Sequence, residues 1–349
     1  MDRLSSGLYL SDLDTAISNC VGMERFDGST ILLTGATGTI GSFLADMLLR
    51  YSATRNAGIR VILAGRDPKK LERLYAEMSG GTARYVYYDV EEPVQLPASV
   101  DYILHAAGNA HPKAFNADPV GTLVGSVLGT YRLLEYGRYC GARRFLYVSS
   151  GEVYGRGDEG MAEFEETYAG YVDALSSRSC YPTGKRAAEN LCAAYAGQFG
   201  TQAVIVRPCH TYGPRFTASD SRAHVQFIRN VINDEDIVLK SAGTQMRSYI
   251  YVADCASAML TALSRGQSGE AYNIANAEAR ITIAGFAQTL AEASGKRVVF
   301  ALPDEEDMAN RTPIPNQVLS SRKIEALGWR GSYTVKRGIE HTLRILQGE

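Results

Sequence analysis

No stretch of the 349-residue chain approaches the roughly 18–20 uninterrupted apolar residues that a membrane-spanning helix needs. The opening segment, Met1 to Ser11, holds one arginine and no apolar block, so no secretory leader is expected. Charge of neither sign is in real excess: 36 Lys and Arg face 38 Asp and Glu, a formal −2. Such a chain has no general attraction for phosphate polymers or acidic lipid, so neither nucleic acid nor a membrane surface is an expected partner. The six cysteines (Cys20, Cys140, Cys180, Cys192, Cys209, Cys255) form no C-x-x-C pair, and the five histidines show no H-x-x-H or H-E-x-x-H spacing. That pattern predicts reduced thiols, a cytoplasmic setting and no protein-built metal site. Proline is sparse at 11, and a composition 45% hydrophobic and 21% charged excludes a disordered or fibrous chain. The length exceeds the roughly 250–300 residues at which one core stops growing, so a large domain with a smaller companion is expected.

What is present is an alternation of short apolar runs and helical patterns. Ile31–Leu33, Val61–Ala64, Tyr85–Tyr88, Tyr102–His105, Phe145–Val148 and Ala203–Val206 read as strands buried on both faces. Between them, apolar residues recur three or four apart, as in Ile40, Phe43, Leu44, Met47 and Leu48. The expected fold is α/β, a doubly wound parallel (Rossmann) sheet with a smaller C-terminal α/β substrate-binding lobe. Residues 1–28 form an N-terminal extension with a short amphipathic helix over 8–21, and 29–208 the dinucleotide-binding domain. Residues 209–349 are mainly the substrate lobe, with some segments returning to the Rossmann core. The acidic run Asp304–Asp307, followed by Pro313 and Pro315, reads as a solvated loop.

Ile31-Leu-Leu-Thr-Gly35-Ala-Thr-Gly38-Thr-Ile-Gly41 ends a strand and opens a helix. Gly35 permits the tight turn, Gly38 lets backbone approach a pyrophosphate, and Gly41 lets helix and strand pack closely. With Thr37, Thr39 and Ile40 these residues build an amide cradle at a helix N-terminus, which attracts an anion. The second strand ends in Gly65-Arg66 without the acid that holds an NAD ribose, so Arg66 favours NADP modestly over NAD. Otherwise Arg66 is a solvated side chain ahead of a helix capped by Asp67. Asp89 and Val90 are placed for the adenine edge, and Ala106, Ala107 and Gly108 for close approach beside the cofactor.

After the fifth strand comes Ser149-Ser150-Gly151-Glu152-Val153-Tyr154-Gly155, and later Tyr181-Pro-Thr-Gly-Lys185. Four residues apart on a helix, Tyr181 and Lys185 share a face. A nearby ammonium and an oxidised nicotinamide both favour the phenolate, so Tyr181 is expected as a base towards a sugar hydroxyl, with Ser150 on the same oxygen. Glu152 is either a second base or a loop carboxylate that orients Tyr154.

These motifs, with Arg207-Pro208…Tyr212-Gly-Pro-Arg215, Gly243-Thr-Gln-Met-Arg247-Ser-Tyr249 and Leu327-Gly-Trp329, resemble the extended short-chain dehydrogenase/reductases that modify nucleotide sugars. Within that branch the run Arg178-Ser-Cys-Tyr181…Lys185-Arg186 is most similar to UDP-glucuronate decarboxylases and sugar 4,6-dehydratases. The resemblance implies transient C4 oxidation by bound NAD(P), then reaction at C5 with Glu152 as its base, dehydration or decarboxylation, and return of the hydride. A nucleotide-sugar 4-epimerase is the alternative, and a Rossmann dinucleotide sensor the non-enzymatic one. Tyr181, Lys185 and Pro208 are then implied beside the cofactor, and Ser150, His210, Arg215 and Arg247 beside a nucleotide-diphosphate sugar. His210 and Ser126 stand where relatives carry Asn, and Gly151 where glucose-type dehydratases carry a proton-donating acid. Relatives commonly form homodimers by helix pairing, here 119–140 and 182–199 with the apolar stripe Ala187, Ala188, Leu191, Cys192 and Tyr195. Surface-polysaccharide or antibiotic-sugar synthesis is their usual setting.

Overall fold

A computed structural model describes residues 3–96, 99–303, 305, 314 and 316–349. Apart from Glu305, the acidic run over 304–307 lies outside the described residues, as do Pro313 and Pro315. Among the described residues the first six strands are β1 (Thr30–Thr34), β2 (Arg60–Gly65), β3 (Ala83–Tyr87), β4 (Tyr102–His105), β5 (Arg144–Val148) and β6 (Ala203–Pro208). Six more follow: β7 (His210–Tyr212), β8 (Ile237–Leu239), β9 (Met246–Tyr251), β10 (Ala271–Ile274), β11 (Arg280–Thr282) and β12 (Val298–Phe300). One seven-stranded sheet runs β3-β2-β1-β4-β5-β6-β10, and every neighbouring pair in it is parallel. That is the doubly wound arrangement expected, with β10 brought back from late in the chain. Two smaller sheets, β11-β9-β7 and β12-β8, lie beyond it; β7 and β11, three residues each, are too short to show as periodicity.

The helices among the described residues include α1 (Gly7–Asn19), α2 (Thr39–Arg55), α3 (Pro68–Ser79), α4 (Pro112–Ala117), α5 (Pro119–Cys140), α6 (Cys180–Phe199), α7 (Ala223–Ile232), α8 (Val252–Arg265) and α9 (Ile283–Ser294). A further helix, Val335–Gln347, closes the chain. Strands β1 and β4 are buried almost throughout because helices cover both faces of the sheet. None of the described helices is long and apolar enough to cross a membrane.

Helix α1 is tied down by a buried carboxylate. Asp12 accepts hydrogen bonds from Tyr251 (2.6 Å) and Tyr333 (2.7 Å) and pairs with His341 Nδ1 at 2.7 Å. Polar partners satisfy a charge that would otherwise be costly to bury. Helices α5 and α6 pack on each other: a Cβ at Gly184 would lie 3.1 Å from that of Ser126. This contact, with the Tyr195–Glu135 hydrogen bond at 2.8 Å, buries Ala188, Cys192 and Tyr195 inside the chain. Three of the five residues of the apolar stripe on α6 are therefore internal packing, while Val124, Leu128 and Tyr131 on α5 stay exposed.

Candidate active site

The turn between β1 and α2 is built by three glycines with three different jobs. Gly35 has φ +78°, and a Cβ there would come within 2.6 Å of the Ala106 carbonyl at the end of β4. A Cβ on Gly41 would lie 2.2 Å from the Gly35 oxygen. Gly38 is different: its backbone is extended (φ −82°, ψ 171°), and a Cβ would meet nothing closer than the Gly35 oxygen at 3.5 Å. The chain's own packing does not demand glycine at 38, whereas a pyrophosphate lying against the backbone does. No side chain caps the first turn of α2, which leaves amides of that turn, where Thr39, Ile40 and Gly41 sit beside Thr37, for an anion. The residues therefore fit a dinucleotide.

Around the cradle, the sequence-predicted residues divide into those that face it and those that build it. Arg66 is exposed at the tip of β2, and the Asp67 carboxylate caps α3 by accepting from Lys70 N at 2.9 Å. Asp89 caps its own turn, accepting from Glu91 N at 3.0 Å. Val90 packs on α5, against Gly125 and Gly129. Ala106, Ala107 and Gly108 leave β4 directly beneath; the Ala107 amide donates to Thr34 Oγ1 at 3.1 Å. Thr34 also bonds His105 Nδ1 at 2.9 Å, and burial holds that imidazole neutral, its pKa lowered to about 3. Pro208 ends β6, in register with Ile274.

At the carboxyl end of β5 the chemistry converges. Ser150 opens a short turn, its Oγ accepting from Glu152 N at 3.2 Å and its hydroxyl favouring the Tyr181 phenolate. Tyr181 stacks on Phe115 of α4, ring centres 5.0 Å apart and 11° from parallel. One turn along α6, the Lys185 ammonium donates to the Val148 carbonyl at 2.8 Å and lies 5.9 Å from the Tyr181 ring centre. Serine, tyrosine and lysine thus meet as their spacing predicts. The phenol's acidity departs from that expectation. Burial is the largest influence and pushes Tyr181 up to about 12, the Ser150 hydrogen bond opposing it. Sequence spacing counts the charges around a phenol and not its desolvation.

Desolvation also lowers Lys185 to about 8. Below about pH 8 the folded protein carries a buried ammonium at a penalty on the order of 3 kcal/mol. Between about 8 and 10.5 the unfolded chain binds the extra proton, so this penalty fades as pH rises towards 10.5. Lys185→Met is expected to be inactive yet more heat-stable at neutral pH, its advantage shrinking above pH ~8. Melting curves at several pH values check this; a less stable variant, or a gap independent of pH, would contradict it.

Glu152 does not stand alone. Arg178 forks onto it, Nη1 to Oε2 at 3.1 Å and Nη2 to Oε1 at 3.3 Å. Arg247 is buried, donating to the carbonyls of Met246 (3.0 Å) and Ile314 (2.8 Å), and feels the Glu152 charge. Arg222, ahead of α7, pairs with Asp220 at 2.6 Å and adds its charge around Tyr181 and His210. His210 lies 6.2 Å, ring to ring, from His224, and burial beside these arginines pushes its pKa well down. The structure places Arg215 apart from that group. Its guanidinium lies 5.8 Å over the Tyr75 ring of α3, whose hydroxyl bonds the Ala36 carbonyl of the glycine turn. Phe115, Arg222 and the Arg178–Glu152 pair escape sequence reasoning; only the position of Arg178 three residues before Tyr181 hints at any of them.

The fold and this constellation define a nucleotide-cofactor site of the short-chain dehydrogenase type. Residues 31–275 match the NAD dependent epimerase/dehydratase family, and the chain belongs to it. UDP-glucuronic acid decarboxylase 6 of Arabidopsis thaliana is 33% identical over 314 residues, covering 88% of this chain and 86% of that protein. UDP-glucuronic acid decarboxylase 1 of Xenopus tropicalis is 29% identical over 330 residues, 94% of this chain and 74% of its own length. Among solved structures, the dTDP-glucose 4,6-dehydratase DesIV of Streptomyces venezuelae, with NAD bound, superposes with TM-score 0.76 at 23% identity. That match spans 91% of this chain and 97% of DesIV. UDP-glucuronic acid 4-epimerase of Bacillus cereus gives 0.75 at 22%, over 91% and 99% of the two chains. These two likenesses speak for the fold.

Proposed function

We propose that the protein is an NAD(P)-dependent decarboxylase of a nucleoside-diphosphate sugar acid. It oxidises C4 of the sugar, releases the carboxyl on C5 as CO₂ and restores the C4 hydroxyl. The observation that carries this reading is the meeting of Ser150, Tyr181 and Lys185 at the end of β5 with the Glu152–Arg178 pair beside them. Tyr181 takes the proton of the C4 hydroxyl while Ser150 holds the same oxygen. Bound nicotinamide supplies hydride uptake and return at C4. With C4 a ketone, the C5 carboxyl belongs to a β-keto acid, and its C–C bond breaks with the electron pair delocalised into the carbonyl. The enolate so formed takes a proton at C5 from solvent, which restores the C4 ketone, and the proton held by Tyr181 returns to the C4 oxygen as the hydroxyl is restored.

Two features favour loss of CO₂ over loss of water. Around Glu152 the guanidinium groups of Arg178 and Arg247 outnumber the carboxylate, which suits an anionic sugar. No acid that protonates a departing hydroxyl stands at Gly151, and a Cβ there would sit 3.2–3.3 Å from the side-chain ends of Leu319 and Gln317, which would have to give way. The relatives named as UDP-glucuronic acid decarboxylases support the same substrate class. Arg222, Arg247 and His210 are read as the substrate's anchors, and Arg215 as a neighbour of the cofactor loop. The bare tip of β2 at Arg66 favours NADP, six free cysteines suit a reducing cytoplasm, and the exposed side chains on α5 suit a homodimer seam. Sedimentation at low concentration reads the last of these.

The test is incubation of the protein with UDP-glucuronate and either NAD or NADP, followed by product mass. Loss of CO₂, faster with NADP, is expected. Loss of water makes the enzyme a dehydratase, an unchanged mass with a new stereoisomer makes it a 4-epimerase, and cofactor binding without turnover makes it a sensor. A preference for NAD removes the role given to Arg66.

A further inference from the structure

We infer that Arg178 is a positioning residue for the oxidation step: forked onto Glu152 and layered through Phe115 onto Tyr181, it cancels the carboxylate's charge beside the phenol and sets the pH at which Tyr181 acts as a base. The inference rests on the reading of Tyr181 as that base. Arg178 belongs to the short turn Ser177–Ser179 that runs straight into α6, so its place is fixed by the same segment that carries Tyr181. Its guanidinium lies 4.5 Å over the Phe115 ring, and Phe115 in turn stacks on Tyr181 at 5.0 Å. Both Nη groups are committed to Glu152, and Nε is buried without a partner among the described residues. A bidentate fork fixes both distance and orientation, which a lysine ammonium does only as a point charge.

The charges facing the phenol come from four directions. Glu152, from the turn after β5, opposes the phenolate, while Arg178 and Arg222, from the turns before α6 and α7, favour it. Lys185, on α6 itself, lies 5.9 Å from the ring centre with its ammonium hydrogen-bonded to Val148 O. Ser150 gives a neutral hydrogen bond, α4 presents the uncharged Phe115, and the buried Tyr147 of β5 also feels Tyr181. Glu152 is the only negative side chain in this set. Pairing it removes the main electrostatic obstacle to deprotonating Tyr181, beyond what burial already imposes.

Opposite signs follow for the two partners. Loss of Arg178 leaves the Glu152 charge uncompensated and raises the apparent pKa of the base. Loss of Glu152 leaves the guanidinium uncompensated and lowers it. The experiment mixes protein loaded with oxidised cofactor against UDP-glucuronate and follows the first burst of reduced nicotinamide across pH. The acid limb is expected to move alkaline by about one pH unit or more in Arg178→Gln, and acid in Glu152→Gln. Arg178→Lys, which keeps the charge, is expected to stay near the parent, as is the double variant Glu152→Gln/Arg178→Gln. A slower Arg178→Gln with an unmoved limb, or both single variants moving the same way, overturns the inference by leaving Arg178 a merely structural group. If Arg178→Gln does not fold, an acid limb in Glu152→Gln that stays put or moves alkaline overturns it equally. Failure of the parent to reduce cofactor with any nucleotide sugar sinks the functional reading instead. The same ionisation is then read without substrate, by NMR of ring-labelled tyrosine with the Tyr181 signal assigned by its loss in Tyr181→Phe, and the same signs apply.

Discussion

Tyr181→Phe is expected to cut turnover by roughly 10²–10⁴-fold while leaving the fold and the affinity for cofactor as they were. The substitution removes one oxygen and keeps the ring. Phenylalanine retains the stack on Phe115, at 5.0 Å and 11°, so the packing of α4 over α6 is unchanged. Ser150 keeps a partner, because its Oγ still accepts from the Glu152 amide at 3.2 Å. No buried polar group is orphaned, and the melting temperature stays within a few degrees of the parent. What is lost is the phenolic hydroxyl beside Ser150, the group read as taking and returning the C4 proton. Turnover of UDP-glucuronate and calorimetric titration with cofactor, run side by side, separate the two properties. Normal turnover in this variant removes Tyr181 from the chemistry.

The parts of this arrangement visible in the sequence are those set by local backbone requirements. Strands such as Ile31–Leu33 and Tyr102–His105 show because a strand covered on both faces reads as an unbroken apolar run. Gly35 and Gly41 show because no other residue fits a φ of +78° or a 2.2 Å approach to a carbonyl oxygen. Tyr181 and Lys185 show because helix geometry fixes residues four apart on one face. What stays hidden depends on chain segments meeting from far away. Arg215 reaches Tyr75 across 140 positions, and Phe115 covers Tyr181 from another helix. The pairing of Arg178 with Glu152 joins turns 26 residues apart. Desolvation is hidden for the same reason: the depth that moves Tyr181 and Lys185 is a property of the assembled lobe.

The glycine turn offers the other large effect, because two of its members separate the needs of the fold from those of the ligand. Gly41→Ala puts a methyl 2.2 Å from the Gly35 oxygen and 2.7 Å from its carbonyl carbon, both backbone atoms that cannot swing aside. The turn must open, so stability falls by about 1–3 kcal/mol or more and cofactor binding goes with it. Gly38→Ala meets only an ordinary 3.5 Å contact, in an extended backbone that alanine adopts freely. Alanine is a poorer helix N-cap than glycine, but it also restricts the unfolded chain, and these two effects offset within about 1 kcal/mol. Gly38→Ala is therefore expected to melt with the parent when no cofactor is added and to lose most of the upward shift that NAD or NADP gives the parent. A fall in affinity of tenfold or more is the expected reading by titration, since the new methyl occupies the backbone's approach to the pyrophosphate. If Gly38→Ala binds as the parent does, the phosphates do not lie against residue 38. If it unfolds with Gly41→Ala, the glycine serves the chain and not the cofactor. Each substitution adds a single methyl to the same turn, so a split between them assigns the space beside Gly38 to a ligand on physical grounds alone.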